Sequence, residues 1–201
     1  MRLSEKDANE KKTMNTHLHI VEAYANLYLV WPNQKLKEAI KEILEIVDLH
    51  FIDKTKNHLK LFFDENWVEK EDVISYGHDI EAAWLLQWCA EAIQDLELIE
   101  TYKKHAVHFA ESTKEGIAED GGLWYEFDPK EKKLIAEKHW WPQAELWIGM
   151  INAWQITQNE EFLTITEKNF EFVEKYIIDH RKGEWIWGIR EDYTPILKDK
   201  A

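Results

Sequence analysis

From Asn15 to Trp31 the apolar residues Leu18, Val21, Ala25, Tyr28 and Leu29 recur at steps of three and four, the spacing that lines one face of a helix. Pro32 stops this helix, because its ring clashes with the preceding turn and it has no amide proton to give. Leu36, Ala39, Ile40, Ile43, Leu44 and Val47 then resume the same period to about Phe51, so two antiparallel helices joined by a short link are expected. Beyond them Leu59, Leu61 and Phe63 alternate with Lys60 and Phe62, and Asp64-Glu65-Asn66 follows: a short strand entering a turn.

The arrangement recurs twice. Helices over 79–93 and 99–112 precede Leu123-Trp124-Tyr125-Glu126-Phe127 and the turn Asp128-Pro129. Helices over 141–157 and 161–178 precede Glu184-Trp185-Ile186-Trp187-Gly188, with Asp192 in its turn. Asp64, Asp128 and Asp192 lie 64 positions apart each time, which predicts an internal repeat of helix, helix, short strand. A helix hairpin cannot bury its apolar face alone, so repeated hairpins stack into an open solenoid or a closed ring. Three units make only an arc of a ring, whose ends expose apolar faces. The expectation is therefore an all-α fold, a partial toroid of three helix-hairpin repeats with short β-hairpin insertions. It forms a single domain over 1–201, part of a longer protein. The charged start, from Met1 to Lys12, and the end at Asp199-Lys200-Ala201 point the same way, and self-association through the open ends is a second way to cover them.

Charge and composition narrow the partners. The chain has 201 residues, with 25 Lys+Arg against 39 Asp+Glu, a formal charge of −14, and 45% hydrophobic residues. That composition argues for a folded domain and against nucleic acid or an anionic lipid surface as partner. No apolar run approaches the roughly 20 residues that cross a bilayer, and the N-terminus lacks the apolar core of a signal peptide, so a cytoplasmic location with no membrane partner is expected. Cys89 stands alone, which leaves no intrachain disulfide and no thiolate zinc site. Gly (7) and Pro (4) are few, as long helices require, whereas 11 Trp and 9 His suit either a core or a pocket for polar, ring-shaped ligands.

In stacked hairpins, equivalent positions of successive repeats converge on the central cavity, so the helix starts are the segments to compare. They read Asn15-Thr16-His17-Leu18-His19, Ser75-Tyr76-Gly77-His78-Asp79-Ile80-Glu81 and His139-Trp140-Trp141-Pro142-Gln143-Ala144-Glu145. His78 and Glu81, three apart, share a helix face, and the positive end of the helix dipole favours a neutral imidazole at position 78. Taken alone, His78 closes the helix N-terminus and Glu81 is a solvated first-turn acid equally well. Asn15 and His19 face together, whereas His17, two from His19, points elsewhere, which speaks against a His-x-His metal pair; His19 as a satisfied core histidine stays open. Trp140 and Trp141 both reach the cavity if they precede the helix, where indoles stack on a sugar ring and Glu145 accepts from a hydroxyl. Trp84, Trp88, Trp147 and Trp154 sit at helical spacing and read as core.

These three motifs, in order and about one repeat apart, resemble those of the N-acylglucosamine 2-epimerase superfamily; the Ser-Tyr-Gly-His-Asp-Ile-Glu form is most similar to its cellobiose 2-epimerase branch. The resemblance covers essentially the whole chain and implies roughly the second half of an (α/α)6 barrel. It implies catalytic roles for His78, His19 and Glu81, sugar-binding roles for Asn15, Trp140, Trp141 and Glu145, and neither metal nor cofactor. It also implies an N-terminal half carrying a sugar-binding arginine, and a second catalytic histidine beyond Ala201. The reaction it implies is epimerisation at C2 of the reducing-end glucose of a β-1,4-linked disaccharide through a cis-enediolate. Two alternatives remain: a toroid glycoside hydrolase using the carboxylates Asp79, Glu81 and Glu145, and a noncatalytic carbohydrate-binding fragment.

Overall fold

The computed structural model describes residues 10–196, so the chain's charged first nine residues and Asp199-Lys200-Ala201 lie outside the described residues. Among the described residues six helices form three hairpins: α1 (Met14–Val30) with α2 (Gln34–Ile46), α3 (Tyr76–Ala92) with α4 (Leu96–Thr113), and α5 (Trp140–Thr157) with α6 (Glu161–Tyr176). A turn of π-helix, Val47–Phe51, extends α2, and one of 3-10 helix, Lys114–Gly116, extends α4. Helices α1, α3 and α5 pack side by side as an inner layer, and each hairpin sets its second helix outside. Central α3 touches α1, α2, α4 and α5, which explains why it is apolar nearly all round and buries even Asp79, Glu81 and Gln87. The flanks of the arc are less covered: α1 leaves Ile20 and Leu27 exposed, and α5 leaves Ile148 and Ile151 exposed.

The helix limits have local causes. Thr13 caps α1 by accepting from the Thr16 amide at 3.2 Å, Asn33 caps α2, and Asp95 caps α4. Gln94 and Gln158, 64 residues apart, both adopt positive φ (53° and 58°) and turn the chain from inner to outer helix. The three turn aspartates behave alike: the Oδ1 atoms of Asp64, Asp128 and Asp192 each accept from an amide two residues on, at 2.9–3.0 Å. The 64-residue repeat is thus a repeat of structure.

The strands differ in detail from the sequence expectation. The single strand expected over 59–63 is two, β3 (His58–Leu59) and β4 (Phe62–Phe63), because each finds a different partner. Strand β3 pairs with β2 (Ile52–Asp53), and β4 with β1 (Lys12–Thr13). A two-residue strand, unmarked by any alternation in the sequence, also stands just before each inner helix: β1, β5 (Ile74–Ser75) and β8 (Lys138–His139). Each pairs antiparallel with a strand after the outer helix: β5 with β6 (Glu126–Asp128), which also pairs β7 (Lys133–Ile135), and β8 with β9 (Gly188–Ile189). These clasps tie each inner-helix N-terminus to its own repeat's return loop.

Candidate active site

The clasps bring the N-terminal turns of α1, α3 and α5 to one end of the arc. There, Asn15, His19, His78, Glu81, Tyr125, Trp141 and Glu145 line one open cleft of about 460 Å³. Six of the seven residues expected at the site from the sequence meet here. Trp140 does not. Helix α5 begins at Trp140, one residue earlier than expected, so the two indoles are adjacent on a helix and point about 100° apart. Trp140 instead packs edge-on to Trp185 at 6.4 Å and lines a separate apolar hollow with Ala144 and Trp147. Its indole Nε1 is buried there without a hydrogen-bond partner among the described residues. A larger hollow, about 640 Å³, is lined by Ile74, Phe127 and Leu134, the face of the β5–β6–β7 sheet opposite Ser75, and holds none of the expected site residues.

His78 is fixed on two sides. Its Nδ1 lies 2.7 Å from the Ser75 hydroxyl, and its ring packs on the Trp141 indole, centroids 4.8 Å apart. Gly77 makes that contact possible: a Cβ there would stand 2.6 Å from the Trp141 ring. Burial, with the charge of His19 added, lowers the His78 pKa to about 4, so the imidazole is neutral at neutral pH. Neutrality matches the sequence expectation, but its main cause is burial.

Across the cleft, His19 is about half exposed and bridges two acids, with Nδ1 3.0 Å from Glu22 and Nε2 3.8 Å from Glu81. Glu81 is buried and its pKa rises to about 7, through desolvation first and the Glu145 charge second, against the pull of His19. Glu145 is also raised by burial, but the Trp84 indole N–H donates to it at 2.7 Å and restrains the rise. Of the two acids, Glu81 therefore takes up the proton first. The cleft thus holds an uncharged imidazole, a carboxyl that titrates near neutrality, and an indole face.

Three residues of the site are not singled out by the sequence. Trp84, which reads as core, orients Glu145, and its position three beyond Glu81 on α3 is the one signal of that role. Ser75, three before His78, occupies the N-cap position of α3 without bonding a helix amide and uses its hydroxyl on the imidazole. Tyr125 comes from the loop before β6, its ring 4.1 Å from that of His139 and edge-on to Trp141. Nothing local in the sequence marks it. His17 packs on Phe51 at 4.7 Å, away from the cleft, as its spacing predicts. Among the described residues no three of His, Cys, Asp and Glu converge as a metal site, and no helix is long and apolar enough to cross a membrane.

Known proteins share this architecture. The family model described as N-acylglucosamine 2-epimerase (GlcNAc 2-epimerase) matches residues 2–201. A cellobiose 2-epimerase of Bacteroides fragilis is 41% identical over 192 residues, 96% of this chain and 49% of that protein. One of Ruminococcus albus is 36% identical over 195 residues, again 96% and 49%. A crystal structure of a sugar epimerase from a ruminal bacterium superposes with a TM-score of 0.91 at 33% identity, over 98% of this chain and 50% of that one. The structure of the Bacillus thermoamylovorans cellobiose 2-epimerase gives 0.89 at 35%, over 98% and 50%. A GH76 α-mannanase at 13% identity and a TM-score of 0.70 shares the fold alone. The chain spans about half the length of the curated relatives it matches. With three motif-bearing hairpins folded as half of an (α/α)6 barrel and the family model matched along nearly its whole length, the chain belongs to the N-acylglucosamine 2-epimerase family.

Proposed function

We propose that this chain forms half of a sugar 2-epimerase that inverts C2 of the reducing-end aldose of a β-1,4-linked disaccharide such as cellobiose. The observation that carries this reading is the neutral, half-buried imidazole of His78, set beside the Trp141 indole in the same cleft as His19, Glu81 and Glu145. Trp141 offers its ring to the apolar face of the sugar, and Asn15 and Glu145 take its hydroxyls. After ring opening, His78 Nε2 accepts the C2 proton, and the electron pair left behind moves through C1 onto the aldehyde oxygen to give a cis-enediolate. His19 faces that oxygen and donates to it, and Glu81, which exchanges a proton near neutrality, assists ring opening. A proton delivered to the opposite face of C2 completes the inversion. That delivery needs a second acid/base group, protonated when the enediolate forms and left as its conjugate base, which the rest of the toroid supplies, and the exposed apolar flanks of α1 and α5 are where its remaining hairpins pack.

The test is the intact protein with cellobiose in heavy water. Epimerisation yields glucosyl-mannose carrying deuterium at C2, and His78→Asn abolishes the uptake; undiminished uptake in that variant refutes the role of His78. The raised pKa of Glu81 beside Glu145 also suits a hydrolase, in which one carboxyl is the acid. Release of free glucose in the same incubation would mark that reading instead, and sugar binding without exchange would mark a noncatalytic fragment.

A further inference from the structure

Asp79 follows His78 in the first turn of α3 yet faces away from the cleft and is fully buried. Both carboxylate oxygens are engaged: Oδ1 accepts from the Leu59 amide at 2.7 Å, and Oδ2 lies 2.7 Å from His58 Nδ1. One repeat later in the sequence, Gln143 follows Trp141-Pro142 in the first turn of α5, also fully buried. Its Oε1 accepts from the Leu123 amide at 2.8 Å, and its Nε2 donates to the Leu123 carbonyl at 3.0 Å and to the His139 carbonyl at 2.9 Å. Asp79 and Gln143 are 64 residues apart, and so are Leu59 and Leu123. The fourth residue of α3 and of α5 therefore makes the same bond to the same place in the preceding repeat, once with a carboxylate and once with an amide. The corresponding residue of α1, His17, lies 2.7 Å from the carbonyl of its own cap residue Thr13.

We propose that Asp79 and Gln143 are positioning residues: tethers that run from the loop of one repeat to the inner helix of the next and hold His78 and Trp141 in register across the cleft. The two cleft residues sit one and two positions before their tethers, and each tether ends on backbone that no rotamer change can move. What the tether needs is an acceptor for a loop amide, because Gln143 performs the task without charge. The inference deepens the proposed function, since it concerns the same His78 and Trp141, but it concerns where they are held and does not depend on turnover.

The experiment follows the His78 ring by NMR in this chain while pH is varied, with Ser75, Trp141 and the charge of His19 as the groups that face it. Asp79→Asn keeps an acceptor for Leu59 and is expected to leave the His78 midpoint near that of the parent. Asp79→Leu, of similar size but with no acceptor, is expected to release the turn and move the midpoint upward by at least one pH unit toward the value of a solvated imidazole. Gln143→Met is read by the ring-current shift that Trp141 imposes on His78, which should collapse, and it decides the matter alone if Asp79→Leu does not fold. A folded Asp79→Leu or Gln143→Met with His78 unmoved overturns the proposal, as does an Asp79→Asn that moves His78 as far as Leu does. Because these signals need no catalysis, a tether that holds while deuterium exchange fails counts against the proposed function and leaves this inference standing.

Discussion

Replacing Glu81 by Gln removes the most strongly perturbed carboxyl of the cleft and should change how stability depends on pH. In the fold its pKa is about 7, against 4.5 for an ordinary glutamate, because burial and the nearby Glu145 disfavour the charge. A carboxyl whose folded pKa lies above its unfolded value contributes stability that is fully present below about pH 4.5 and lost as pH rises through 7. Between pH 5 and pH 8 this amounts to about 2–3 kcal/mol, since each pH unit separating the folded and unfolded titrations is worth about 1.4 kcal/mol. His78 acts in the opposite sense: its depressed pKa gives stability that is present above 6.5 and lost as pH falls toward 4. That contribution is common to parent and variant, so it cancels in their difference. Urea denaturation of both proteins at pH 5 and pH 8 therefore isolates Glu81. The stability of Glu81→Gln relative to the parent should improve by about 2–3 kcal/mol between pH 5 and pH 8. Parallel pH profiles would refute the picture of a buried carboxyl forced to ionise beside Glu145.

Further outcomes follow from the same geometry. Gly77→Ala drives a methyl to within 2.6 Å of the Trp141 ring, and should cost about 1–3 kcal/mol in urea titration while shifting tryptophan emission; an unchanged midpoint would show that the indole yields freely. Trp84→Phe deletes the donor to Glu145, so the Glu145 carboxyl should titrate at higher pH by 13C NMR and stability should fall by about 1–3 kcal/mol. Tyr102→Phe strips the hydroxyl that bonds the Leu44 carbonyl in the core and should cost about 1–2 kcal/mol, read as a lower thermal midpoint. Deuterium exchange into sugar C2 by the intact protein should change near pH 7 as Glu81 titrates and collapse as pH approaches 4, where His78 protonates; an NMR midpoint for His78 near 6.5 would mean the imidazole is solvated in the working enzyme.

Much of this protein is written in local pattern. Helical periodicity fixes the six helices to within a few residues, the 64-residue spacing of Asp64, Asp128 and Asp192 marks the repeat, and the three helix-start motifs name six of the seven residues lining the cleft. Those features are legible because they depend on residues within one or two turns of each other. The rest depends on long-range contact. The two-residue clasp strands carry no alternation and exist only because a return loop some 50 residues later supplies their hydrogen bonds. Whether Trp140 or Trp141 faces the cleft turns on a one-residue shift in the start of α5. Trp84 becomes a partner of Glu145, and Asp79 a tether to Leu59, only once helices and loops from different repeats meet. The charge state of Glu81 and the depth of the His78 shift are decided last and by the tertiary structure, since desolvation is a property of what surrounds a side chain and not of the residues beside it in sequence.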